Sequence, residues 1–126
     1  MIISLYAGIL ALIYIGLSGY VIKGRFKNQV SLGDNNIPDM QKRVRVHGNF
    51  IEYVPIALFL LFLMEVVEAN AVFIHALCVA LIIGRIGHII GVLGKEGTSI
   101  GRAGGMMLTF IVIMIAAIYN IVIYLF

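Results

Sequence analysis

The chain has 126 residues, 62% hydrophobic and 12% charged, with a net charge of +3 and a mean hydropathy of +1.08. Soluble globular domains carry about 45–50% apolar and about 25% charged residues, so the composition excludes that class and points to an integral membrane protein. A single domain over residues 1–126 is expected, all-α in class, because the apolar runs are continuous rather than alternating as in a membrane barrel. The lone cysteine, Cys78, lies inside an apolar run and has no intrachain disulfide partner.

Residues 1–22 contain no charged side chain, long enough for a helix across a hydrocarbon core of about 30 Å, and the first helix is expected at about 2–22. It has no basic leader and no small-x-small cleavage pattern, so it reads as a retained helix rather than a signal peptide. Gly33, Asp34, Asn35, Asn36 and Pro38 then break the chain. A second helix follows at about 44–67, polar in its first third and carrying Glu65 near its end. After the turn signals Glu68 to Asn70, a third is expected at about 70–94, interrupted only by His75, Arg85 and His88. The segment from Gly94 to Gly101 turns the chain into a fourth helix at about 102–125, uncharged after Arg102. The short second and third connections make their flanking helices antiparallel neighbours in a four-transmembrane-helix bundle.

Lys23, Arg25, Lys27, Lys42, Arg43 and Arg45 lie in or beside the first connection, and Lys95 and Arg102 flank the third, whereas Glu65 and Glu68 flank the second. The positive-inside bias puts connections one and three in the cytoplasm and both termini on the other side, in the inner membrane of a bacterium. The basic connection is also suited to touching anionic lipid headgroups. Gly8, Gly16 and Gly19 on the first helix, Gly84, Gly87, Gly91 and Gly94 on the third and Gly101 and Gly105 on the fourth are small-residue series suited to close helix packing. Gly94, Gly97 and Gly101 also suit a tight turn.

The stretch RVRVHGNFIEYVP at residues 43–55 sets polar groups where the second helix enters the lipid. Arg45, Asn49 and Glu52 fall at i, i+4 and i+7 on one helical face, with Tyr53 at its edge, and Arg85 and His88 share a face of the third helix. At the helical rise, Glu52 lies ~12 Å and Arg85 ~14 Å in from the same membrane surface, so the two are level. A lone charge in lipid costs at least roughly 2.5 to 3.5 kcal/mol, which predicts a Glu52 to Arg85 contact, within one subunit or across an interface. His75 lies near the opposite end and reads as an interfacial or packed histidine. His47, His75 and His88 stand at three depths without carboxylates at ligand spacing, so no metal site is expected. No phosphate loop, serine-hydrolase pattern or nucleic-acid module is present.

The pattern Arg45-x-x-x-Asn49-x-x-Glu52-Tyr53-x-Pro55 resembles the second-helix signature of the MAPEG family, the membrane-associated proteins of eicosanoid and glutathione metabolism. The resemblance extends to Arg85-x-x-His88 and Arg102, and its four-helix topology covers essentially the whole chain. It implies a homotrimer that holds glutathione as co-substrate at subunit interfaces near the cytoplasmic side, with no metal. By that resemblance Arg45, Asn49, Glu52, Tyr53 and His88 contact glutathione, Arg85 organises its carboxylates, and Arg102 is the catalytic cation beside its sulfur. The implied activity is a generic glutathione transferase or peroxidase acting on a lipophilic electrophile or hydroperoxide from the bilayer. Two positions depart from the pattern: Val92 stands where epoxide-conjugating members often carry a tyrosine, and Gly48 where some prostaglandin synthases have a basic residue. Two other readings stay open. One is a small four-helix transporter, although such proteins usually bury their glutamate in the first helix, uncharged here. The other is a non-catalytic membrane protein of the same fold.

Overall fold

The computed structural model describes residues 1–94 and 99–126, so the expectations for Lys95 and Gly97 lie outside the described residues. Four helices make up the fold: α1 (Ile2–Asn28), α2 (Pro38–Val66), α3 (Ala71–Gly94) and α4 (Ile100–Leu125). Each is long and apolar enough to cross a membrane.

The helices α1 and α2 run further at the basic end than the apolar runs alone suggest, to Asn28 instead of about 22 and from Pro38 instead of about 44. Hydropathy marks the hydrocarbon boundary, whereas lysine, arginine, glutamine and methionine are good helix formers that continue the helix through the headgroup layer. Pro38 opens α2, where its missing N–H costs nothing. Gln29 ends α1 in the left-handed conformation (φ 53°), and Asn70 starts α3 by accepting the N–H groups of Val72 and Phe73 at 2.9 and 3.2 Å.

The second helix is central and packs against the other three. α3 and α4 form the closest pair, α1 lies on α2 and touches α3, and the described residues of α1 and α4 do not approach one another. The core is aliphatic, with Leu10, Ala57, Leu61, Met64, Leu81 and Val112 essentially inaccessible. Leu12, Ile15, Phe59, Ile83 and Ile118 point outward, as expected of lipid-facing positions.

Close approach of α3 and α4 depends on three glycines, and a Cβ at Gly101 would lie 2.9 Å from the Gly87 carbonyl oxygen. A Cβ at Gly105 would collide with the carbonyl oxygen of Gly84 and lie 2.5 Å from the His88 nitrogen, and one at Gly91 would collide with the Arg102 nitrogen. The small-residue expectation therefore holds for this pair. It does not hold within the chain for α1, because Gly8, Gly16 and Gly19 face outward with nothing within 4 Å.

Polar side chains fasten the ends. At the end that carries the α2–α3 connection, Glu65 accepts the backbone N–H groups of Ile2 and Ile3, and the Tyr6 hydroxyl meets His75 Nδ1 at 2.8 Å. Asn120 donates to the Leu60 carbonyl at 3.0 Å, joining α4 to α2. At the basic end, Arg43 is buried, donates to Asp39 at 3.0 Å and to the Tyr20 carbonyl at 2.7 Å, and lies 3.8 Å over the Tyr20 ring. Arg43 is thus an interhelical clamp and not only a topology signal. An Arg43→Ala change is expected to cost about 2 kcal/mol, the scale of one charge-assisted hydrogen bond, read as a lower midpoint of denaturant-driven unfolding in micelles. An unchanged midpoint would remove the clamp.

Candidate functional site

The polar half of α2 lies on a membrane-crossing helix, and its side chains divide between two directions. Arg45 and Glu52 turn outward, their side chains 59% and 47% exposed, and Arg45 Nη1 lies 3.4 Å from Glu52 Oε1. Asn49 turns inward and is buried. Three and four residues separate the two directions only because Asn49 sits at the inner margin of the stripe, while Arg45 and Glu52 occupy its outer margin.

Arg85 is the largest fully buried side chain, 1% exposed. Its Nη1 donates to Asn49 Oδ1 at 2.8 Å. Its Nη2 faces the Gly105 carbonyl at 3.4 Å and the Met106 sulfur at 3.3 Å, while Nε has no hydrogen-bond partner among the described residues. The expected Glu52 to Arg85 contact is therefore not made within the chain. Glu52 points away from the bundle and Arg85 into it, and the neutral amide of Asn49 takes the place expected for the carboxylate. Among the described residues no carboxylate lies within ion-pair distance of Arg85.

His88 is buried one turn beyond Arg85, its backbone pressed against Gly105 of α4. Tyr53 is half-buried and meets Phe110 edge to face at 5.4 Å between ring centres. Arg102 stands in the first turn of α4 with an exposed side chain. Its backbone N–H donates to Ser99 Oγ at 3.1 Å, and that hydroxyl donates to the Gly91 carbonyl at 3.0 Å, so Ser99 ties the start of α4 to the end of α3. The fold thus joins Asn49, Arg85 and the backbone beside His88 across α2, α3 and α4. Arg45 and Glu52 form a separate outward pair, and Arg102 lies at the same end of the bundle. Val92 is buried in the aliphatic core and offers no polar group.

His47 belongs to another group. It faces α1, where its Nε2 meets Ser18 Oγ at 3.1 Å and its ring stacks on Tyr14 at 5.0 Å. Ser18 has no sequence motif around it, and only the two-residue offset of His47 from both Arg45 and Asn49, which puts it on the opposite side of the helix, hints at a different neighbour. Among the described residues no three of His, Cys, Asp and Glu converge as metal ligands would.

Four membrane-length helices holding a buried arginine-amide contact and an outward ion pair on α2 define a polytopic helical membrane protein with a polar centre at one end. The MAPEG family model matches residues 3–122, and the chain belongs to that family. It is 31% identical over 121 residues to the inner membrane protein YecN of Escherichia coli strain K12, covering 96% of this chain and 91% of the relative. YecN of Escherichia coli O6:H1 matches to the same extent. No solved structure matches the chain.

Proposed function

We propose that this MAPEG protein is a bacterial inner-membrane, glutathione-dependent transferase with peroxidase capacity, working as a homotrimer on lipophilic electrophiles or hydroperoxides. The observation that carries the reading is the exposed Arg45–Glu52 pair on a membrane-crossing helix. Charges at that depth are costly against lipid, so the face must meet a charged ligand, a second copy or both. Glutathione fits by charge, with two carboxylates and one ammonium. Arg45 receives a carboxylate and Glu52 the ammonium, exchanging their mutual contact for charge-assisted bonds to the ligand. Asn49 and Arg85 brace that wall from inside, Tyr53 borders it, and His88 holds the α3 side.

Arg102 supplies a cation for the sulfur, favouring the thiolate that acts as nucleophile. In conjugation the thiolate attacks the electrophilic carbon, a C–S bond forms, and the leaving group departs with the bonding electrons. The YecN relatives, named as inner membrane proteins, support the location.

The test is equilibrium binding of glutathione to detergent-purified protein. Glu52→Gln is expected to weaken binding about tenfold or more, the scale of one hydrogen bond to a charged group. Arg102→Ala is expected to lower kcat about a hundredfold with little change in glutathione affinity. No binding at millimolar glutathione overturns the assignment and favours a non-catalytic member, for which Val92 is the motivating residue. An unchanged kcat removes Arg102 from the chemistry.

A further inference from the structure

The 27 residues of α1 make a helix about 40 Å long, more than the roughly 30 Å of hydrocarbon it must cross. Its last two turns, from Ile22 onward, therefore stand at the boundary between acyl chains and headgroups. The αL residue Gln29 then folds the chain back along the helix, with the Val30 N–H donating to the Arg25 carbonyl at 3.0 Å. Arg25 Nη1 reaches the Gly33 carbonyl at 2.8 Å and holds this return segment in place. Between helix and return segment lies an open cavity of about 510 Å³, lined by Ile22, Arg25, Phe26, Gln29, Val30 and Ser31.

The lining is divided in its chemistry. Arg25, Gln29 and Ser31 offer a cation, an amide and a hydroxyl, while Ile22 and Phe26 are apolar side chains left 54% and 82% exposed. Only one of the five guanidinium N–H groups of Arg25 is engaged by the Gly33 carbonyl. Among the described residues no carboxylate lines the cavity. The nearby acids are occupied elsewhere, Asp39 by Asn28, Arg43 and Lys27 and Asp34 by the Asn36 N–H. Lys23 and Lys27 are exposed on the same turns and add positive potential.

We propose that this cavity is a binding site for an anionic phospholipid, with Arg25, Gln29 and Ser31 receiving the phosphodiester and Ile22 and Phe26 receiving the start of an acyl chain. Three features agree on that ligand: the depth at the headgroup boundary, a cation with no acidic neighbour in the cavity among the described residues, and exposed apolar side chains next to it, Ile22 on its membrane side and Phe26 beside it. A free phosphate would leave Ile22 and Phe26 without a role. The site is separate from the polar half of α2 and does not depend on the glutathione reading.

The experiment uses the full chain in an uncharged detergent, with thermal unfolding followed while phosphatidylglycerol, phosphatidylcholine of the same acyl chains, or inorganic phosphate is added. Phosphatidylglycerol is expected to raise the midpoint, and the other two are not. Arg25→Gln is expected to raise the phosphatidylglycerol concentration needed for half the effect about fivefold, the scale of one basic residue at a membrane surface. Phe26→Ser, at an exposed position that folding does not need, is expected to weaken the response as well. Lys42→Gln, outside the cavity, is the control for diffuse surface charge. Equal stabilisation by phosphatidylcholine or by inorganic phosphate overturns the proposal. So does a Lys42→Gln loss equal to that of Arg25→Gln, or an undiminished response in Phe26→Ser.

Discussion

Replacing Gly105 with alanine lowers the stability of the bundle by about 2–3 kcal/mol, while the same replacement at Gly104 leaves it unchanged or raises it by up to about 1 kcal/mol. The two glycines are adjacent on α4 and differ only in what they face. A methyl on Gly105 meets backbone: the Gly84 carbonyl oxygen, the His88 nitrogen at 2.5 Å and the His88 Cα at 2.9 Å. Backbone of a rigid helix cannot step aside as a side-chain end can, so α3 and α4 must separate. Separation also stretches the Arg85 contact to the Gly105 carbonyl, already 3.4 Å, and takes Thr109 away from Gly84. A methyl on Gly104 meets nothing within 4 Å, leaving only the better helix propensity of alanine. Reversible unfolding in mixed micelles reads both changes, and equal effects at the two positions would show that the close contact is not limiting.

The second large effect lies at Asn49. Asn49→Leu removes the 2.8 Å acceptor of a fully buried guanidinium and is expected to cost about 2–3 kcal/mol, the range for a hydrogen bond to a charged group. Arg85→Met on its own removes the charge and leaves a neutral amide, a milder fault. The double variant Asn49→Leu with Arg85→Met is expected to be more stable than Asn49→Leu alone, because an apolar pair of similar volume carries no desolvation penalty. Effects that add within about 0.5 kcal/mol would mean that the two side chains act independently. Glutathione binding measured on the same variants separates bracing from folding: a folded double variant that has lost affinity assigns the pair to the site.

Much of the architecture was readable before any coordinates, for a physical reason. A helix that crosses lipid must satisfy its backbone internally and present apolar side chains for about twenty residues, which leaves a strong linear signal. The ends of α1 and α2 were less readable, since Lys23 to Asn28 and Asp39 to Arg43 are helix-competent yet too polar for hydrocarbon. In the polar centre, spacing put Arg45, Asn49 and Glu52 on one broad face but could not divide that face into inward and outward margins. Periodicity gives the angle between side chains and not the direction of the neighbouring helix. Hence Asn49, and not Glu52, meets Arg85. The Arg43 clamp and the Ser18–His47 contact escaped for a related reason: each joins α1 to α2 across a long connection, and neither has a local motif.

The choice of an amide beside Arg85 also bears on how the protein responds to its surroundings. A carboxylate partner would cancel the guanidinium charge when ionised and release it when protonated, making the interior field a function of acidity. Asn49 neither ionises nor cancels, and arginine keeps its proton throughout the physiological range. With no carboxylate in ion-pair range among the described residues, the bundle holds a standing positive potential behind the outward face of α2. The Arg85–Asn49 contact therefore contributes a permanent electrostatic bias behind that face rather than a switch.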